Sequence, residues 1–211
     1  MNEYQINYNF DTFLKRLDKE LFNNYEVYIF LENILKDFYL IDMEDSIFYN
    51  DFYNQLISEG TVDIKIIRQI IRTSEFYIFF KDFMNNKVED LISKLTFVDN
   101  KIKIYRAITC NYDFINRVKF VNKISLGIFW SYCYEGAIPY NGCPSENEYI
   151  FFAEININNI DWFHTLILNT CEIYGEDEQE IRTFSNKKVY NFSIEKVGEL
   201  LHYTVKKNVK T

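Results

Sequence analysis

The residues whose types most clearly suggest a chemical role lie in Glu176–Glu180. Four of these five side chains are carboxylates, and apolar Ile181 follows. If the chain is extended from Glu178 onward, side chains alternate, so Glu178 and Glu180 point to the same side. Two like charges held that close repel each other, which favours a pair built to receive a cationic group. The alternative interpretation is a solvated acidic turn that leads into a strand.

Two upstream segments carry complementary chemistry. Arg106 stands inside the apolar run Ile104–Ile108, and Gly127–Ser131 brings an aromatic pair and a hydroxyl to the end of a second apolar run. A planar guanidinium can hold a pyrophosphate through two parallel hydrogen bonds. A fixed carboxylate stabilises the positive charge that develops on a sugar when its glycosidic bond breaks.

The first 99 residues show no catalytic motif and contain one Gly and no Pro. Their apolar residues recur at helical spacing, which indicates core-facing stripes. The predicted helices begin at the caps Asp11, Ser46, Thr61 and Ser74, with a further one over Val27–Phe38 and a short one over Val88–Leu95.

The pattern changes near residue 100, because the remaining chain holds five of the six Gly and both Pro. A loop is predicted over Glu135–Asn147, and Asp161 is predicted to cap a short helix. The predicted strands are Ile102–Ile108, Ile124–Trp130, Tyr149–Ile155, Glu180–Phe184, Val189–Phe192 and Leu200–Val205. The sequence therefore predicts an α+β protein, with a helical region over 1–99 and a mostly β region over 100–211.

Charge and composition argue against nucleic-acid binding by the helical region and against a membrane-spanning segment. Residues 1–99 carry 10 Lys and Arg against 18 Asp and Glu, whereas residues 100–211 carry 13 of each. This acidity argues against nucleic-acid binding by the helical region. No apolar run approaches the ~18 residues of a membrane span, and the N-terminus has no secretory pattern, so we expect a cytoplasmic protein with no membrane partner.

The cysteine and histidine spacings predict no metal site. The four Cys show no C-x-x-C spacing, which favours unpaired reduced thiols. His164 and His202 lie far apart in the chain and have no metal-ligand spacing.

The order of motifs resembles a known family. Arg106 in a strand, Gly127-x-x-Trp130-Ser131, another strand and then Glu178-x-Glu180 resemble the Arg–Ser–Glu class of mono-ADP-ribosyltransferases, which includes bacterial toxins and phage enzymes. The resemblance covers about residues 100–195. It implies an NAD-binding catalytic core built as a mixed, mostly antiparallel β-sandwich, with NAD as a substrate and no metal.

The resemblance also implies roles for single residues. Arg106 would hold the NAD pyrophosphate, and the backbone of Ala107 would meet the nicotinamide amide. Glu180 would act on the ribose, with Ser131 orienting it, and Trp130 would lie near the nicotinamide or in the core. Two departures from the family pattern are Ser131-Tyr132-Cys133 in place of Ser-Thr-Ser and Ala in place of the frequent Gly at position 107.

The acceptor is implied by the residues before Glu180. A Glu at position 178 goes with transfer to arginine in the family, and Tyr174 would contact the target. The favoured hypothesis is therefore an intracellular toxin or effector that modifies a protein. The open alternatives are an RNA or DNA acceptor, an NAD glycohydrolase, and a degenerate interaction protein whose helical region binds an antitoxin or other protein partner.

Overall fold

The computed structural model describes residues 9–42, 62–118, 120–121, 123–137, 148–170, 179–184, 189–190, 192–196 and 199–204. These residues form two compact units, a helical one containing 9–93 and 166–170 and a sheet-containing one made of 94–165 and 179–204. The protein combines α-helices with an antiparallel sheet, which confirms the predicted mixture of α and β structure. Within the described ranges, no helix is both long and apolar enough to cross a membrane.

The helices of the first unit follow the predicted apolar stripes, with different boundaries. They are α1 (Phe10–Glu20), α2 (Tyr25–Asp42), α3 (Ile64–Ile70) and α4 (Ser74–Lys94). The cap of α1 is Asn9, whose side chain accepts from Thr12 N at 2.9 Å, so the predicted Asp11 cap is wrong. Asp63 caps α3, and the two helices predicted from Ser74 and Val88 are one continuous helix. The predicted Thr61 cap and Ser46 helix lie outside the described residues.

Phenylalanines form the core of this helical unit. The rings of Phe76 and Phe80 stack with centroids 5.2 Å apart, and both side chains are fully buried. Phe30 meets Phe80 edge-on at 6.1 Å, and Phe13 lies 6.2 Å from Phe80. Each such side chain contributes about 1.5–3 kcal/mol by leaving water, so the aromatic stripes of the sequence act as core.

In its described residues, the second unit is built on a seven-stranded sheet. The strands of the chain are β1 (Phe97–Val98), β2 (Lys101–Thr109), β3 (Lys123–Ile124), β4 (Phe129–Ser131), β5 (Glu148–Asn156), β6 (Glu180–Arg182), β7 (Val189–Tyr190), β8 (Ser193–Lys196) and β9 (Glu199–Thr204). The sheet order is β6-β4-β2-β5-β8-β9, with β1 paired to β2, while β3 and β7 form a separate pair. Every described pairing is antiparallel.

Strands β2 and β5 set the register of this sheet. They pair along their full length, and Ile102 and Ile104 of β2 oppose Ile155 and Ala153 of β5 on one buried face. The intervening Lys101 and Lys103 are exposed. This period-two burial is the pattern expected of a half-buried strand.

The structure departs from the predicted elements in several places, and strands β1 and β8 were not predicted. The strand predicted over Ile124–Trp130 is broken into β3 and β4, because Gly127 between them has φ +92 and cannot continue a strand. Helices α5 (Tyr112–Val118) and α6 (Tyr134–Ala137) were not predicted, and α6 overlaps the start of the predicted loop. Helix α7 (Trp162–Thr170) follows Asp161 as expected.

Candidate active site

Three neighbouring strands carry Arg106, Ser131 and Glu180, which are three of the predicted site residues. Strand β4 lies between β2 and β6, and Ser131 stands opposite both Tyr105 of β2 and Glu180 of β6. Arg106 is the next residue along β2. The antiparallel register thus collects Arg106, Ser131 and Glu180, which are far apart in the chain, into one region of one sheet.

The guanidinium of Arg106 is held against the backbone of neighbouring residues. Its Nη1 donates to the carbonyl of Phe129, and a Cβ on Gly127 would lie 2.9 Å from that nitrogen. Gly127 also has φ +92, a conformation that residues with a side chain rarely adopt. A glycine is needed here both for the turn and for the close approach of the arginine.

Strand alternation separates the side chains of the site. Because Tyr105 pairs with Ser131, Arg106 starts from the opposite face of β2 to the row formed by Tyr105, Ser131 and Glu180. Arg106 is nevertheless within electrostatic reach of the carboxylate. Burial lowers the pKa of Arg106, and the negative charge of Glu180 acts in the opposite direction.

Ser131 acts on the backbone beside Glu180. Its side chain is only 5% exposed, and its hydroxyl donates to the carbonyl of Gln179 at 3.2 Å. The amide of Tyr132 donates to the same carbonyl at 3.0 Å. Ser131 therefore reaches Glu180 through the preceding residue, a route that the sequence analysis did not predict.

Gln179 is a residue of the site that sequence reasoning missed. Its φ is +50, and its side-chain Oε1 accepts a hydrogen bond from the thiol of Cys133. The Cys133 sulfur in turn accepts from the amide of Gly136 at 3.1 Å. The sequence marked Cys133 only as a departure from a Ser-Thr-Ser motif, and no local pattern signalled the backbone conformation of Gln179.

The remaining predicted residues have different surroundings. Trp130 is 3% exposed, stands opposite buried Ile181, and donates from Nε1 to the carbonyl of Gly127 at 3.3 Å, so it belongs to the core. Ala107 is half-buried opposite Ile150 on β5. Tyr174 and Glu178 lie outside the described residues.

Strand β6 is also held along its second edge, by the segment around the start of α7. The amide of Asp161 donates to the carbonyl of Arg182 at 2.7 Å, and the amide of Arg182 donates to Thr165 Oγ1 at 3.0 Å. The amide of Thr183 donates to the carbonyl of Ile128 at 2.7 Å. The strand that carries Glu180 is thereby fixed from both sides.

The described residues also include a buried histidine and two free cysteines. His164 Nδ1 lies 2.8 Å from the Asp161 carboxylate, and both side chains are buried. Cys110 and Cys133 are free thiols, and burial raises the pKa of Cys110. In the part of the chain that the structure describes, no group of His, Cys, Asp and Glu is arranged to hold a metal ion.

A cavity of about 280 Å³ opens at Tyr105 and Tyr132, and neither Ser131 nor Glu180 is among its lining residues. The ammonium of Lys103 lies 5.3 Å from the ring centre of Tyr105 and 4.8 Å from that of Phe152. The cavity is lined by Leu95, Thr96, Val98, Lys101, Ile102, Lys103, Tyr105, Tyr132 and Glu154. Its lining is both cationic and aromatic.

No protein-family model, curated protein or solved structure matches this chain.

Proposed function

We propose that the protein is a mono-ADP-ribosyltransferase that uses NAD⁺ to modify an intracellular macromolecule. The proposal rests on the sheet order, in which β4 lies between β2 and β6. Arg106, Ser131 and Glu180 therefore lie on three neighbouring strands of the sheet. A guanidinium, a hydroxyl and a carboxylate in one region are the groups that binding and cleaving NAD⁺ requires. The sheet-containing unit would then be the catalytic core, built as the β-sandwich that the resemblance implies.

The proposed reaction breaks the bond between the ribose and the nicotinamide nitrogen. The electron pair of that bond leaves with nicotinamide, and positive charge develops on the ribose. The Glu180 carboxylate stabilises this charge and holds a ribose hydroxyl. A nucleophilic atom of the acceptor then bonds to the ribose carbon, and its proton passes to a base, the role assigned to Glu178.

Arg106 has the capacity to hold a pyrophosphate while keeping its own anchor. A guanidinium has five N–H donors, and one of them is used by the carbonyl of Phe129. The remaining donors form a planar fork that suits two phosphate oxygens. The hydrogen bond from Arg106 to Phe129 fixes the fork before NAD⁺ arrives. The backbone of the next residue, Ala107, would bind the nicotinamide amide.

The favoured acceptor is an arginine of a protein. Glu178 would orient the guanidinium and take its proton, and Tyr174 would contact the target. An RNA or DNA acceptor is a second candidate, and water is a third, which would make the protein an NAD glycohydrolase. The resemblance favours a bacterial or phage toxin or effector that acts in the cytoplasm. An antitoxin would then bind the helical unit.

Incubation of the purified protein with labelled NAD⁺ and a cell lysate tests the proposal. We expect label on protein and release of nicotinamide, and protease treatment should remove the label from macromolecules. Label that resists protease and is removed by nuclease identifies a nucleic-acid acceptor, and free ADP-ribose alone identifies a glycohydrolase. The absence of all three products, with the protein folded, would overturn the proposal in favour of an interaction protein.

A further inference from the structure

We infer that Gln179 is a positioning residue, held in a clamp that fixes the orientation of Glu180, and this inference rests on the proposed function. The clamp lies at the junction between the turn after β4 and the start of β6. Its members share hydrogen bonds or close packing with Gln179. They are Ser131, Tyr132, Cys133, Gly136 and Gln179.

The backbone of Gln179 has a conformation that needs support. Its φ of +50 is uncommon for a residue with a side chain and costs on the order of 1–3 kcal/mol. Two donors meet its carbonyl, the amide of Tyr132 at 3.0 Å and the hydroxyl of Ser131 at 3.2 Å. These bonds come from the strand end directly opposite and hold the turn in this one conformation.

The side chain of Gln179 is fixed as well. Its Oε1 accepts from the Cys133 thiol, whose sulfur also accepts from the amide of Gly136. A Cβ on Gly136 would lie 2.6 Å from Ser131 Oγ, 3.0 Å from Gln179 Oε1 and 3.2 Å from Cys133 Sγ. Helix α6 therefore packs closely against the side-chain amide of Gln179. Only a glycine at position 136 leaves space for this contact.

The clamp acts on Glu180 because that residue follows Gln179 and begins β6. A change in the backbone angles of Gln179 rotates the carboxylate away from its place opposite Ser131. A displacement of about 1 Å at a reacting group can lower the rate about 10²-fold. Binding of NAD⁺ should be much less sensitive, since Arg106 belongs to β2 and has its own anchor on Phe129.

The test compares four variants by kcat and KM for nicotinamide release. We expect Gln179→Ala, Cys133→Ala and Gly136→Ala to lower kcat about 10- to 100-fold and to leave KM for NAD⁺ within about threefold. Cys133→Ser keeps an O–H donor for Gln179 and an acceptor for Gly136. It should restore kcat to within about fivefold of the wild type, a rescue that a general packing role would not produce.

Glu135→Ala is the matched control, because Glu135 is exposed and precedes Gly136 in α6. It should leave kcat unchanged. If Gln179→Ala fails to fold, the pair Cys133→Ala and Cys133→Ser still decides, since the two differ by a single oxygen. Amide exchange at Tyr132 gives a readout independent of activity and should accelerate in Cys133→Ala.

The outcomes separate this inference from the proposed function. If Glu180→Gln is inactive but the clamp variants turn over like the wild type, the positioning role is overturned and the proposed function stands. If Cys133→Ser is as slow as Cys133→Ala, or KM rises as much as kcat falls, the positioning role is again overturned. If the wild type releases no nicotinamide, both ideas fall, whatever the exchange at Tyr132.

Discussion

Ser131 stands directly opposite Glu180 in the pairing of β4 with β6, and its hydroxyl donates to the carbonyl of the residue before Glu180. The serine thus sets the backbone from which the carboxylate starts. Its own hydroxyl is buried and also accepts from the amide of Cys133 at 3.2 Å. The relationship makes Ser131 part of a support for Glu180.

Glu180→Gln should abolish transfer and leave the fold intact. The change removes the charge that stabilises the ribose and keeps the shape of the side chain. Loss of one such electrostatic group costs about 10²–10³ in rate. The measurement is nicotinamide release, with Glu135→Gln as an exposed carboxylate control that should be fully active. Turnover of Glu180→Gln near the wild-type rate would contradict the assignment.

Arg106→Ala should weaken NAD⁺ binding, because the pyrophosphate loses its fork. Lys in place of Arg106 should recover only part of the affinity, since an ammonium is a point charge without two parallel donors. Titration calorimetry with NAD⁺ measures both. Unchanged affinity in the two variants would assign Arg106 to the support of the Phe129 backbone alone.

Gly127→Ala should destabilise the protein and disturb Arg106. Its φ of +92 strains any residue with a side chain, and the new Cβ would lie 2.9 Å from Arg106 Nη1. We expect a loss of about 1–3 kcal/mol in the free energy of unfolding, measured with urea, together with weaker NAD⁺ binding. If both quantities match the wild type, the turn at Gly127 relaxes freely and does not constrain the arginine.

Glu178→Gln should separate transfer from hydrolysis. Glu180 acts on the ribose, which every reaction of NAD⁺ uses, whereas the proposed role of Glu178 concerns only the acceptor. Label incorporation with lysate should therefore fall, while nicotinamide release without acceptor is largely spared. Equal loss of both activities would mean that the pair acts as one unit on NAD⁺. Full retention of both would make Glu178 part of a solvated turn and remove the arginine-acceptor hypothesis.

Asp18 should contribute stability that depends on pH. Burial raises its pKa, but hydrogen bonds from Arg68 and Arg72 outweigh that effect, so the pKa lies below the ordinary value. A carboxylate whose pKa is lowered on folding stabilises above its unfolded pKa, and this stability is lost as pH falls through the folded value.

Asp18→Asn should therefore lower the free energy of unfolding at pH 7 by at most about 1 kcal/mol, since the pair is solvent-screened. The difference from the wild type should shrink as the pH falls below about 4. Urea unfolding across this range measures it, with the exposed Asp82→Asn as control. A difference that persists at the acidic end would point to packing rather than charge.

The sequence by itself determined the class of structure and the residue types of the site. Helical spacing in Val27–Phe38 and alternation in Ile102–Ile108 predicted α2 and β2 well, because burial of one face imposes a period that local patterns reveal. The order of Arg106, Ser131 and Glu180 was likewise visible in the chain.

Only the tertiary structure decided how those residues meet. The pairing of β4 with both β2 and β6 is a contact between distant segments, which no local pattern encodes. Donors from Ser131 and Tyr132 hold Gln179 at its φ of +50, and the guanidinium of Arg106 leaves no space for a Cβ at position 127. These features follow from which segments pack together, and packing is a property of the folded chain as a whole.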